Sequence, residues 1–184
     1  MTYQTVDEIF GAIDKTRSKI IKIVAELSDE KANFKFSSEK WSIANIVEHL
    51  AKTEESLTRL VNKLLAQAEA ENTPSNGEIN PPFSFAEISE KWRGQKLEAP
   101  AAIRPDGVAS IAESLTKLEK SRAALHELRP RLTAVDLSNA FYPHPFFGPM
   151  NLYYWLAFIG LHELHHLKQI SEILAAHEGQ MQNN

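Results

Sequence analysis

The chain has no cysteine in its 184 residues. That excludes disulfides, a thiolate metal site and a cysteine nucleophile. It has no basic run either, and 20 Lys and Arg stand against 24 Asp and Glu for a net charge of −4. An acidic balance without a positive patch argues against a nucleic-acid surface. No apolar run reaches the roughly 18 residues of a membrane span. The longest candidate, Leu152 to Leu161, is broken by His162-Glu163. Met1-Thr2-Tyr3-Gln4-Thr5 shows no basic segment leading into an apolar one, so no signal peptide is visible. Sustained period-two alternation is missing, as is any internal repeat, so strands are not expected. These absences leave a soluble cytoplasmic protein as the expectation. A single domain over 1–184 is expected, long enough to bury roughly 70% of the unfolded chain's surface.

What is present is helical periodicity. Val6, Ile9, Phe10, Ile13, Ile20, Val24 and Leu27 recur at gaps of three, four and seven, which predicts a first helix over 6–27. Thr5 and Glu8 form a capping-box pattern at its start. Lys15, Arg17, Lys19 and Lys22 read as a solvated face. After a polar connection from Ser28 to Lys40, with room for one short turn, Ser42 reads as the cap of a second helix reaching about Ala70. Trp41 and Ile46 are spaced there as a hydrophobic staple. A third helix is expected from Ser110, boxed with Glu113, to Leu128, where Arg129-Pro130 ends it. His126 falls off its apolar stripe and is expected to face solvent. Asn151 caps a fourth helix running to about His177, with Gly179 just beyond its end. His177 would sit in its last turn, facing the helix dipole.

Two connections are long. Glu71 to Ala109 holds five prolines (Pro74, Pro81, Pro82, Pro100, Pro105) and is too long for a tight turn. Its Phe83, Phe85, Ile88 and Trp92 suggest a middle that packs on the body, with a short helix. A connection of that length lets two successive helices run parallel. The second, Arg131 to Pro149, carries aromatic residues expected to cover one end of the core. Its His144, between two prolines, reads as structural. Four amphipathic helices with two long connections read as an all-α four-helix bundle.

The chemistry lies in Gly160-Leu161-His162-Glu163-Leu164-His165-His166-Leu167-Lys168-Gln169-Ile170. His162 and His166 are one helical turn apart on one face, the spacing two imidazoles need to grip one ion. His162 and His165 would share a face too, so spacing alone selects two of the three. His49 lies near Ile46, Leu50 and Thr53 and points to the core side, where it could supply the third imidazole such a pair lacks. A bundle core is where ligands from facing helices converge. Three histidines leave positions open on the ion, as catalytic rather than structural sites do. Asn45 and Thr53, four residues before and after His49, and Gln169, three after His166, are candidates to orient the rings.

Two other motifs compete. His162-Glu163-Leu164-His165-His166 matches the H-E-x-x-H zincin pattern, with Glu163 as general base. The zincin extension is absent, because Gln169 stands where Gly would be, and no sheet edge is expected. A di-iron carboxylate bundle needs two E-x-x-H pairs. Glu163 with His166 is one, and no other histidine has Glu three residues before it.

Trp41-Ser42 followed by His49-Leu50, then His144-Pro145 and Gly148, then His162-x-x-x-His166-x-x-Gln169-Ile170 resemble the DinB/YfiT-like superfamily. The resemblance spans the chain from the first helix to Ile170 and beyond. It implies a bundle in up-down-down-up order, with the crossover between helices 2 and 3 after Ala70. It implies a divalent metal, nickel or zinc, on His49, His162 and His166, with His165 outside that set. Dimers are common in the superfamily. Its activities include transferases and isomerases that use bacillithiol, mycothiol or glutathione; many members are described as metal-dependent hydrolases, and others were named for induction by DNA damage. Nothing in the chain identifies a pocket for a low-molecular-weight thiol. The expectation is a metal-dependent enzyme acting on a small molecule by activating water or a thiol, with thiol transfer placed ahead of hydrolysis. No residue is assigned as the catalytic base. The alternative is a non-catalytic metal-binding or dimerisation bundle associated with stress or DNA damage.

Overall fold

Thr5 opens the first helix, its hydroxyl accepting from the Glu8 amide at 3.1 Å. Glu8 returns its carboxylate to the Gln4 amide (2.7 Å) rather than to Thr5. The computed structural model describes residues 2–79, 83–84 and 98–182. Four long helices make the body: α1 (Val6–Val24), α3 (Ile43–Glu71), α4 (Ile111–Ala134) and α5 (Leu152–Gln182). The turn expected after Ser28 is α2 (Asp29–Asn33), which Ser28 caps.

Helix directions follow from the cross-helix pairs. Asp7 meets Arg129, Asp14 meets Arg122 and Arg17 meets the Leu118 carbonyl, so α1 and α4 are antiparallel. Glu54 meets Arg122 and Glu69 meets Arg131, so α3 and α4 are parallel. Gly160 lies against Ile13 and Glu163 against Arg17, so α5 runs with α1. The order is up, down, down, up, and the crossover carries the chain from Asn72 back to the start of α4. The expected aromatic segment of that crossover lies largely outside the described residues.

Two helix ends differ from expectation. α4 continues through Pro130 to Ala134 instead of stopping before it. The proline forfeits one backbone hydrogen bond, but the extra turn buries Leu132 completely and pairs Arg131 with Glu69 at both carboxylate oxygens. α5 runs past Gly179 to Gln182. His177 is therefore not in its last turn; it is 8% exposed and edge-on to Phe34 at 5.0 Å. His126 is half-buried rather than solvent-facing, 5.0 Å from the Phe10 ring and hydrogen-bonded to Asp14.

Among the described residues, two short antiparallel ladders accompany the bundle. β1 (Thr2–Tyr3) pairs with β2 (Phe83–Ser84), and β3 (Phe141–His144) with β4 (Gly148–Asn151). The second hides from pattern reading because Pro143 and Pro149 lie inside it. They face each other, so the donors they lack are missing from a single rung.

Two apolar clusters fill the bundle. Ile9, Phe10, Ile13, Leu64, Leu65 and Leu156 anchor one, and Ile20, Val24, Ile46, Leu50, Leu118 and Ile170 the other. Arg17, expected on the solvated face, is buried with Glu54, Arg122 and Glu163.

Candidate metal centre

α3 and α5 are antiparallel neighbours, which sets His49 opposite His162 and His166. The Nε2 atoms of His49 and His166 each lie 3.1 Å from Nε2 of His162. One ligand nitrogen from each of the three falls within 4.8 Å of the others. His49 and His166 are 3% and 5% exposed, and His162 is half-buried. Burial lowers the pKa of His49 and holds His162 well below its ordinary range; it brings His166 down to about 3. At neutral pH these are neutral imidazoles, the form that ligates a metal.

The neighbours fix their tautomers. Nδ1–H of His49 donates to the Ile103 carbonyl at 2.7 Å. Nδ1–H of His166 donates to Oε1 of Gln169 at 2.8 Å. Both Nε2 atoms therefore present lone pairs toward His162, which carries at most one proton between them. At least one lone pair is left facing another nitrogen at 3.1 Å. A cation among the three removes that conflict. Two imidazoles bound tetrahedrally at about 2.05 Å stand about 3.3 Å apart, close to the spacing of His49 and of His166 from His162. The donor set fits a divalent metal.

Of the orienting candidates, Gln169 contacts a histidine as expected. It also donates through Nε2 to the exposed His165, whose ring stays outside the cluster. Thr53 is marginal, with Oγ1 3.5 Å from His49 Nδ1. Asn45 does not reach His49. Its side chain closes the capping box at the start of α3, Oδ1 accepting from the Ser42 amide while the Asn45 amide donates to the Ser42 hydroxyl.

The Ile103 carbonyl has no counterpart in the sequence reading. It comes from a short 3-10 turn, Ala101–Ile103, 54 residues away. Glu48 holds that segment by accepting from the amides of Asp106 (3.1 Å) and Gly107 (2.9 Å). Lys52 adds an ion pair to Glu48 at 2.7 Å and a bond to the Arg104 carbonyl at 3.2 Å. A backbone carbonyl leaves no mark on side-chain pattern, but Glu48, an acid flanked by Val47 and His49, was a visible sign of buried donors.

Aromatic rings wall the cluster. Trp41 lies 4.9 Å from His49 and stacks toward His166 at 6.3 Å, and Phe158 lies 5.7 Å from His162. His144 is apart from the cluster's ligands. Its Nδ1 accepts from the Phe146 and Phe147 amides at 3.1 and 3.3 Å, and its ring stacks on Phe147. Glu163 is held by arginines and makes no hydrogen bond to the histidines: Oε1 takes Arg17 Nε at 2.7 Å and Arg122 at 3.3 Å, and Oε2 is buried without a partner, which is not the setting of a zincin base. Burial raises its carboxyl, and the guanidinium groups of Arg17 and Arg122 pull it back down. Two clefts, of about 210 Å³ beside Asp136 and Tyr153 and about 270 Å³ beside Asn45 and Gly107, are not lined by the three histidines.

Comparison with known proteins agrees on the family. The chain is 30% identical to YuaE of Bacillus subtilis over 156 residues, covering 80% of this chain and 85% of that one. It is 24% identical over 179 residues to the "Putative metal-dependent hydrolase OB0413" of Oceanobacillus iheyensis, covering 97% and 91%. The crystal structure of TT2238, a four-helix bundle protein, superposes with a TM-score of 0.61 at 23% identity, covering 90% of this chain and 98% of that one. YfiT from Bacillus subtilis, described as a probable metal-dependent hydrolase with an unusual four-helix bundle topology, superposes with a TM-score of 0.63 at 19% identity, covering 94% and 87%. The superfamily's own sequence model matches residues 12–170, and the chain belongs to the DinB superfamily.

Proposed function

We propose that this protein is a metal-dependent hydrolase of a small molecule, with its ion held by His49, His162 and His166. The observation that carries the reading is the convergence of three neutral imidazoles with Nδ1–H already committed on two of them. When bound, a divalent ion with open positions supplies Lewis-acid polarisation and acidifies a water. The chain does the rest. Ile103 and Gln169 hold two rings in the ligating tautomer, and Trp41 and Phe158 shield the rings of His49 and His162 from bulk water. The descriptions of OB0413 and YfiT support hydrolysis over thiol transfer, reversing the order expected from sequence. Nickel and zinc are the ions we assign. A homodimer in the cytoplasm is the working form under the same reading.

The test is elemental analysis of untagged protein, wild type beside His49→Ala and His162→Ala. About one equivalent of divalent metal in wild type, lost in both variants, is the expected result. Wild type that stays empty after incubation with zinc or nickel overturns the reading in favour of an interaction bundle.

A further inference from the structure

At the middle of the bundle, each long helix carries one charged residue set in its apolar stripe in the same way. In α1 the buried series runs Ile13, Arg17, Ile20; in α3, Leu50, Glu54, Leu57; in α4, Leu118, Arg122, Leu125; in α5, Ile159, Glu163, His166. Each charged residue follows a core residue by four and precedes a buried one by three. All four meet in one layer between the two apolar clusters. Arg17 binds Glu163 and Glu54 and donates to the Leu118 carbonyl at 3.1 Å. Arg122 grips both oxygens of Glu54 at 3.0 and 3.2 Å and reaches Glu163 at 3.3 Å and Asp14 at 2.9 Å. Two arginines thus balance two buried carboxylates, and every long helix contributes one member.

The layer stands directly beside the histidines. Glu163 follows His162 in the chain, and Glu54 lies five residues after His49. Leu and Ile side chains accept neighbours at many offsets, so an apolar seam tolerates slippage by a turn. A buried ion cluster does not. Sliding or rotating one helix strands a charge in the core, and breaking such a cluster is far more costly than never having had it. Buried polar groups that fix register rather than add stability are the best-attested use of such residues.

We propose that Arg17, Glu54, Arg122 and Glu163 are positioning residues that set the axial register of α3 against α5 and so place His49 opposite His162 and His166. The consequence for metal binding rests on the hydrolase reading above; the consequence for register does not. With the layer replaced by apolar side chains, the three imidazoles no longer hold one spacing.

The experiment uses the absence of native cysteine. Spin labels go on Glu55→Cys in α3 and Lys168→Cys in α5, side chains 58% and 80% exposed. Interlabel distances are measured on metal-free protein diluted in unlabelled chain, so that only pairs within one chain contribute. The apolar replacement Arg17→Met, Glu54→Leu, Arg122→Met, Glu163→Leu is compared with the parent, beside the conservative pair Arg17→Lys and Glu163→Gln in case the former does not fold. Expected for a helical variant is a distance distribution broadened or displaced by up to about 5 Å, one helical turn. Cobalt affinity should fall about tenfold or more, with an altered visible spectrum. Parent-like distances in helical variants overturn the proposal, whatever happens to cobalt. If the parent itself takes no cobalt, the hydrolase reading fails, and displaced distances in the variants still establish the register role.

Discussion

Gln169 acts at both ends of its amide. Its Oε1 accepts from His166 and its Nε2 donates to His165, which fixes the amide's orientation as well as the ring's. Removing it leaves His166 free to rotate and to move its proton to Nε2. Gln169→Ala should therefore weaken zinc binding about 10- to 100-fold, measured by competition with a chromophoric chelator, with helix content unchanged. His144 makes a different prediction. Burial lowers its pKa from the ordinary 6.5 to about 4, and its Nδ1 lone pair holds the amides of the β3–β4 turn. As pH falls below about 6.5 the unfolded chain gains a proton on this residue, while the folded chain does not until about 4. Its contribution to stability is thus intact above that window and is lost progressively as pH falls through it. In urea unfolding between about pH 6.5 and 4, His144→Asn should reduce the slope of free energy against pH by nearly one proton. An unchanged slope would mean that the turn does not depend on the neutral ring.

At the scale of helices, the contact that decides most is Gly160. A Cβ there would sit 2.8 Å from Ile13 Cγ2 and 3.4 Å from Ile13 Cα. Ile13 is completely buried and β-branched, so neither atom can swing aside. Alanine is the better helix former by about 1 kcal/mol, which predicts stabilisation if α5 stood alone. Overpacking costs about 1–3 kcal/mol, and it acts where α1 meets α5. Gly160→Ala should on balance lower the urea midpoint; a raised midpoint would show that α1 and α5 can part without loss. The helix ends follow the same balance. Pro130 is a helix breaker by local rules, yet α4 passes through it, because Leu132 and Arg131 gain more from one further turn than the missing amide loses. Asn45 shows the reverse case: a helix start requires its side chain as a cap, so it was never free to serve His49.

For the whole molecule, a ligand that joins α3 to α5 binds the folded chain and not the unfolded one. Zinc at about 100-fold over its dissociation constant should add about 2.7 kcal/mol, which raises the melting temperature by about 5–10 °C in a chain of this length. The shift should vanish in His49→Ala, whose ligand comes from the other helix. A shift that persists there would place the ion elsewhere.

Local pattern along the chain was enough to place the four long helices, their caps at Thr5, Ser42, Ser110 and Asn151, and the one-turn spacing of His162 and His166. These are local properties: apolar periodicity, first-turn amides seeking acceptors, and side chains one turn apart depend on neighbours within four residues. A four-helix bundle was legible for the same reason, since the long crossover is visible as a break in periodicity, while the superfamily and its helix order came from the resemblance of the motifs. What lies across the bundle depends on packing between distant segments. Ile103 supplies a carbonyl that no residue pattern encodes. Arg17 looked like one more surface base and is buried, because three other helices bring it carboxylates and a backbone oxygen. Glu163 completes an H-E-x-x-H pattern in the sequence, and its carboxylate is bound by two arginines from other helices. A charge or a carbonyl acquires its role from partners far along the chain, and only the packed fold brings those partners within reach.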